Sequence, residues 1–205
     1  MFMSIVGLDL AGVETRPTGF CILSEMKAVT GHLFTDAEII ENTVKANPRI
    51  ITIDAPLSLP PGRKSIEELT GNHLRNSDRV LLKMGIKLFP ITLGPMRKLT
   101  VRGIRLRETF EQLGFKVLEA YPGGAQDVLG ISRKRQGLEK MRVGLTALGI
   151  LGLKADMSDH ELDASTIAYV GKLFLEGKAV IYGDPDQGIV MPIGKRMSIG
   201  KSQTV

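Results

Sequence analysis

The 205-residue sequence contains one cysteine and no apolar run of the length that crosses a membrane. A single thiol cannot form an internal disulfide or a multi-cysteine zinc site, so Cys21, inside the apolar run 20–23, is expected in the core. A membrane span needs about 20 apolar residues. The first ten residues, MFMSIVGLDL, also lack a basic leader and a small-residue cleavage site. We therefore predict a soluble, cytoplasmic protein without membrane association.

The composition is that of an ordinary globular protein, with 43% hydrophobic and 24% charged residues. A chain of this length supports one well-buried core, and we predict a single domain over residues 1–193. Residues 194–205 are polar and basic and are predicted to form a flexible tail. The net charge of +5 suits a polyanionic partner such as nucleic acid, although many basic proteins bind none.

The hydrophobic pattern predicts an α/β fold. Residues 3–9, 19–24 and 28–34 favour an antiparallel meander, and the continuous apolar run at 50–53 is typical of a parallel strand buried on both faces. Further strands are predicted at 115–120, 179–182 and 189–193, the last two as a closing hairpin. Helices are predicted at 35–46, 97–113, 138–151 and 158–176, with Ser158 and Glu161 as a capping box. The proline-interrupted residues 57–96 are interpreted as an insertion or lid with two or more weak helices.

Acidic residues stand where these elements begin and end. Asp9 and Asp54 each end a predicted strand, and strands that neighbour each other would bring the two carboxylates close together. His160 and Asp163 share one side of the last helix, because residues three apart lie on the same helix side. Glu119 ends another strand. Clustered carboxylates repel each other unless a cation neutralises them, so the pattern indicates Mg²⁺ or Mn²⁺.

Each acid has a structural interpretation as well. Single acids at strand ends or in first helical turns are commonly caps or surface charges. Tyr121 and Pro122 also make the Glu119 segment a plausible structural corner. The metal hypothesis therefore depends on the joint pattern and not on any one residue.

The motifs GLDLAG around Asp9, IDAPLSLP around Asp54, EAYP at Glu119 and DA at Asp163 resemble an uncharacterised family of predicted nucleases with an RNase H-like fold. The segments RNSDR at 75–79 and GDPDQG at 183–188 are also similar to that family. The H-x-x-D spacing is similar to the last acidic motif of Holliday-junction resolvases. The resemblance implies a five-stranded mixed sheet of order 3-2-1-4-5 flanked by helices, with a helical insertion and a C-terminal hairpin.

A nuclease of this kind would use two Mg²⁺ ions about 3.5–4 Å apart to hydrolyse a phosphodiester bond in DNA or RNA. On this hypothesis Asp9 bridges both ions, and Asp54 and Asp163 each hold one. Glu119 binds directly or through water, and His160 binds metal or positions the attacking water. A resolvase-like activity would favour a homodimer.

Basic residues are candidates for substrate binding, because guanidinium and ammonium groups suit phosphate oxygens. Arg102 and Arg105 are equally explained by a solvated helix face, together with Glu108. Arg75 and Arg79 flank Asp78 at helical spacing, so an internal ion pair is an alternative. Lys134 lies in the basic run 133–135, which also suits a solvated loop. The full candidate set is Arg75, Arg79, Arg102, Arg105 and Lys134.

Two other classes of function stay open. A non-catalytic RNase H-like module could bind nucleic acid or protein through the same groove. A phosphotransferase of the actin and sugar-kinase type also starts with a strand that ends in Asp before a glycine, as at Asp9 and Gly12, but it needs a second related half. Metal titration distinguishes these classes.

Overall fold

A seven-stranded mixed sheet forms the centre of the computed structural model, which describes residues 4–194. Within that range the strands are β1 Ser4–Asp9, β2 Thr18–Ser24, β3 Lys27–Leu33, β4 Ile50–Asp54, β5 Val117–Ala120, β6 Ala179–Tyr182 and β7 Ile189–Pro192. The α-helices are α1 Asp36–Ala46, α2 Asn76–Lys83, α3 Met96–Gln112, α4 Pro122–Leu129, α5 Leu138–Ala147 and α6 Asp159–Leu175, with a short 3₁₀ helix at Lys134–Gln136. The predicted tail lies, apart from Gly194, outside the described residues.

The strand order is β3-β2-β1-β4-β5-β7-β6. The first five strands follow the expected order 3-2-1-4-5, with β1, β4 and β5 parallel and β2 antiparallel to both β1 and β3. The expectation of five strands was wrong, because the closing hairpin joins the same sheet. Strand β7 pairs in parallel with β5, placing Ile189 opposite Glu119, and β6 pairs antiparallel with β7.

Alternate side chains of the central strands enter two different cores. On one face, Ile5 and Ile50 pack with α5 and α6, and on the other, Val6 and Ile51 pack with α1 and α3. Both faces of β1 and β4 are therefore buried, as the continuous apolar run at 50–53 predicts for β4. The helices on either side leave the carboxyl ends of the parallel strands as the place where polar side chains converge.

Helix α6 lies close against the sheet and carries the predicted site residues. Its start is the predicted capping box, in which Ser158 accepts from the Glu161 N–H and Glu161 accepts from the Ser158 N–H. Two glycines allow the close approach. A Cβ at Gly19 would lie 2.0 Å from the His160 carbonyl oxygen, and one at Gly7 would lie 2.2 Å from that of Ala164. Larger residues on β1 and β2 would push the helix away from the strand ends.

The insertion differs from its prediction. Between residues 57 and 95 there is one helix, α2, because the remaining chain has few regular backbone hydrogen bonds and several prolines. Its apolar residues are nevertheless anchored, since Leu81 and Ile86 pack against Ile189 and Met191 of β7.

One helix was not predicted, and one further local prediction was wrong. The residues after β5 form helix α4, whose first position is Pro122, a position where the missing N–H costs nothing. Arg102 of α3, expected on the outer face, is buried at 6% exposure because it binds Asp36 of α1. None of the helices in residues 4–194 combines the length and the hydrophobicity that a membrane span requires.

Candidate functional site

Asp9 and Asp54 occupy paired positions at the ends of two adjacent parallel strands. Asp9 of β1 lies directly opposite Asp54 of β4 in the strand register. Neighbouring strands are about 4.8 Å apart, and side chains at paired positions point to the same face. The sheet therefore holds two carboxylates side by side at its carboxyl edge.

Helix α6 adds two groups to this edge. The ring nitrogen Nδ1 of His160 lies 2.6 Å from Asp9 Oδ2. Asp163, one turn later, is 5% exposed and interacts electrostatically with both Asp9 and Asp54. We call Asp9, Asp54 and Asp163 the Asp54 cluster.

The charges of the Asp54 cluster are incompletely compensated by the chain. Burial, followed by the negative charges of Asp9 and Asp163, raises the pKa of Asp54 well above its ordinary value. Burial and Asp9 also raise the pKa of Asp163 to about 6. Like charges in a water-poor setting favour protonation, and a bound cation would remove that tendency. The hydrogen bond with Asp9 raises the pKa of His160, so the imidazole also supplies some positive charge.

Two side chains from outside α6 contact Asp163. The Gln126 side-chain amide of α4 donates to Asp163 Oδ1 at 2.7 Å. The Lys134 ammonium lies 3.2 Å from Asp163 Oδ2 and 3.1 Å from Asp159 Oδ2. Lys134, predicted to bind substrate, thus lies at the edge of the Asp54 cluster and is half-exposed.

Glu119 is bound by the chain itself. Its two carboxylate oxygens accept from the Arg75 guanidinium at 2.5 and 2.7 Å, and the Leu57 N–H donates to it at 2.8 Å. Arg75 also donates to Asp78 at 2.8 and 3.1 Å, which is the internal ion pair that the spacing allowed. We call Arg75, Asp78 and Glu119 the Arg75 cluster. Burial raises the pKa of Glu119, while Arg75 opposes that rise.

The other candidate arginines have varied surroundings. Arg102 donates to Asp36 and to the carbonyls of Ala11 and Phe34, so it ties α3 to the loop after β1. Arg105 is exposed and pairs with the same Asp36. Arg79 is exposed and donates to the Asn72 side chain. Arg79 and Arg105 remain predicted phosphate contacts, while Arg75 and Arg102 are occupied by internal partners.

The donor set of the Asp54 cluster suits a hard divalent ion, because Mg²⁺ prefers carboxylate oxygens and neutralises their charge. As the side chains lie, however, residues 4–194 contain no group of three His, Cys, Asp or Glu side chains placed to hold a metal. Two carboxylate oxygens of the Asp54 cluster also have partners from the chain, since His160 contacts Asp9 and Lys134 contacts Asp163. The residues fit a cation by chemistry and charge, and binding would require exchange of these partners.

The solved "Thermus thermophilus RuvC structure" aligns with 85% of this chain and 97% of its own length, at a TM-score of 0.48 and 15% sequence identity. No protein-family model matches the chain, and no curated protein matches it.

Gln126 and Asp159 were not identified from the sequence. Gln126 lies 37 residues from Asp163 and follows a Pro-Gly-Gly segment that indicates a turn. Asp159 is the first residue of α6, where an acid is explained by the helix dipole alone. Only the three-dimensional contacts distinguish these side chains from other polar residues.

Proposed function

We propose that the chain is a divalent-metal-dependent nuclease that hydrolyses phosphodiester bonds. The observation that carries this proposal is the Asp54 cluster, in which Asp9 and Asp54 are paired across parallel strands and Asp163 faces them from α6. Three like charges at one sheet edge disfavour the folded state unless they bind a cation. A cation bound there would be accessible to a substrate phosphate, because His160 and Lys134 at the same edge are partly exposed.

Asp9, Asp54 and Asp163 would hold the metal, and Glu119 would support β5 through Arg75 instead. His160 would orient Asp9 through the Nδ1 contact and leave Nε2 for a water molecule. Divalent ions bound there would activate water and stabilise the attacking and leaving oxygens of an in-line displacement.

The direct test is Asp9→Asn in a Mg²⁺-dependent cleavage assay across single strands, duplexes, RNA–DNA hybrids and branched junctions. The loss of several kcal/mol of charge stabilisation predicts cleavage lower by on the order of 10²–10³-fold. Asp156→Asn is the matched control, because Asp156 is an exposed carboxylate in the loop before α6 and should leave cleavage unchanged. Full activity of Asp9→Asn would exclude the assigned role.

A non-catalytic nucleic-acid-binding module is the second candidate. The observation in its favour is that Lys134, Gln126 and His160 already occupy oxygens of the Asp54 cluster. Calorimetric titration with Mg²⁺ and Mn²⁺ separates the two candidates. Binding that Asp9→Asn abolishes favours the nuclease, and absence of binding favours the module.

A further inference from the structure

A cavity of about 190 Å³ opens beside Asp54. It lies at the carboxyl ends of β4 and β5, the region of a parallel sheet where ligands commonly bind. The insertion and the first turn of α3 form its outer wall. Its lining is largely apolar and includes Pro56, Ile91, Leu99 and Ile189.

Two aromatic rings line this cavity. Tyr121 is held in place, since its hydroxyl donates to the Lys87 carbonyl at 3.3 Å and the Arg133 guanidinium lies 5.9 Å from its ring centroid. Phe89 is 79% exposed, so most of its ring surface faces water. A flat ring entering the cavity would cover Phe89 and remove its apolar surface from water.

The charges around the cavity suit an uncharged ring inside the cavity that is attached to a phosphate outside the cavity. On the inner wall, the Arg75 guanidinium is paired with both Asp78 and Glu119, so it is not free to bind a phosphate inside the cavity. Lys87 is an exposed lining residue without an ion pair among residues 4–194. An ammonium group in that position would attract a phosphate near the cavity.

The cavity volume limits the size of the occupant. Pockets for drug-sized ligands are about 300–1,000 Å³, so this cavity accepts one planar ring system and excludes a base pair within a duplex. Asp54 is part of its lining, so a base inside would have its own phosphate close to the Asp54 cluster.

We propose that this cavity binds a single unpaired base next to the phosphate that the Asp54 cluster would bind. The inference rests on the proposed function, which supplies nucleic acid as the ligand. It further specifies that the bound strand is single or locally unpaired. Base stacking on Phe89 supplies affinity with little sequence preference, and Lys87 contacts the backbone.

The test measures binding of a single-stranded oligonucleotide that contains one 2-aminopurine, with the matched duplex as the second probe. Titrations are run in EDTA with the unmodified chain, and with Mg²⁺ in an Asp9→Asn background so that the strand stays intact. Binding should quench the 2-aminopurine fluorescence through stacking. Phe89→Ala should weaken single-strand binding by about tenfold and duplex binding by less than about twofold.

Leu69→Ala is the matched control, because Leu69 is an apolar residue of the same insertion, is 96% exposed and lies outside the cavity. Phe89→Trp keeps a stacking surface and should preserve single-strand binding, which separates stacking from a folding defect. Lys87→Ala should weaken both probes alike and reduce the slope of log K against log salt by about 0.7.

The inference is overturned if Phe89→Ala weakens binding of the single strand and of the duplex equally. It is also overturned if the single strand does not bind in either buffer, or if it binds without quenching the 2-aminopurine fluorescence. The two proposals fail separately. If metal-dependent cleavage occurs and Phe89→Ala changes nothing, the inference fails and the proposed function stands. If no cleavage occurs but single-strand binding depends on Phe89, the cavity assignment stands and the nuclease proposal fails.

Discussion

The two acidic clusters differ in the source of their neutralising charge. In the Arg75 cluster, Glu119 at the end of β5 and Asp78 of α2 share one buried guanidinium. In the Asp54 cluster, acids at the ends of β1 and β4 face a third acid from α6, and among residues 4–194 the basic side chains that contact these acids are the partly exposed Lys134 and His160. Both clusters line the same edge of the sheet.

This contrast shows that a carboxylate at a strand end has no fixed role. Glu119 and Asp54 follow adjacent strands, yet Glu119 receives a planar fork of donors and a backbone N–H, while Asp54 receives mainly like charge. A fully paired buried acid holds the fold together, and an unpaired one favours a proton or an external cation. Removing charge should therefore have opposite effects in the two clusters.

The largest effect is expected for Arg75→Met. The substitution leaves Glu119 and Asp78 buried without a counter-charge, which should lower the free energy of unfolding by about 3–5 kcal/mol in urea titrations. Arg79→Met is the control, because Arg79 is exposed and its effect should be within about 0.5 kcal/mol. A variant as stable as the unmodified chain would show that the Arg75 cluster does not stabilise the fold.

Asp163→Asn is expected to increase the free energy of unfolding at pH 7.5 without divalent ions, in contrast to Arg75→Met. Since the folded-state pKa of Asp163 is raised to about 6, its protonated form stabilises the fold below the unfolded pKa, and this contribution is lost as pH rises through about 6. The Asn variant keeps the uncharged form, so its free energy of unfolding should exceed that of the unmodified chain by about 2–3 kcal/mol. The difference should vanish near pH 4.

Asp159→Asn is the matched control on the same helical turn. Burial raises the pKa of Asp159, but the hydrogen bond from Lys134 outweighs this effect and the pKa is lowered overall. The charged form of Asp159 therefore stabilises the fold at neutral pH. This variant should be slightly less stable than the unmodified chain at pH 7.5. If Asp163→Asn is destabilised in the same way, Lys134 and Gln126 compensate Asp163 fully and the Asp54 cluster needs no cation.

Much of the fold follows from local sequence. The continuous apolar run at 50–53 predicted the buried parallel strand β4, and the Ser158 capping box located the start of α6 to within one residue. The sixth and seventh strands were identified as a hairpin, but its pairing with β5 depends on contacts between Glu119 and Ile189 that no local pattern records. Helix α4 was missed because its Pro-Gly-Gly start has low helical propensity and is stabilised by packing.

The candidate residues were predictable where they end a strand or share one side of a helix. Asp9 and Asp54 end adjacent strands, and His160 is three residues from Asp163. The partner of Glu119 was not predictable, because Arg75 lies 44 residues away in the insertion. The spacing of Arg75 and Asp78 allowed an ion pair, but it contained no information about a second acid from β5.

A moderate effect is expected for Lys134→Met on metal binding. The Lys134 ammonium forms an ion pair with Asp163 Oδ2 at 3.2 Å, so a divalent ion that binds this oxygen must displace the ammonium. Without this competitor, calorimetric Mg²⁺ affinity should rise by about three- to tenfold, which corresponds to about 0.7–1.4 kcal/mol. Lys140→Met, at an exposed position of α5, should leave the affinity unchanged. Weaker binding by Lys134→Met would mean that the ammonium supports the metal site instead of competing for it.

The smallest effect on metal binding is expected for Glu119→Gln. Both oxygens of Glu119 already accept hydrogen bonds from Arg75, and one also accepts from Leu57, so most of its acceptor capacity is used within the Arg75 cluster. Mg²⁺ affinity should change by less than about twofold, while thermal unfolding should occur at a lower temperature because Arg75 loses a charged partner. A tenfold loss of Mg²⁺ affinity would instead make Glu119 a ligand that exchanges Arg75 for metal. The two clusters would then form one site, with Arg75 as the group that holds Glu119 until the ion arrives.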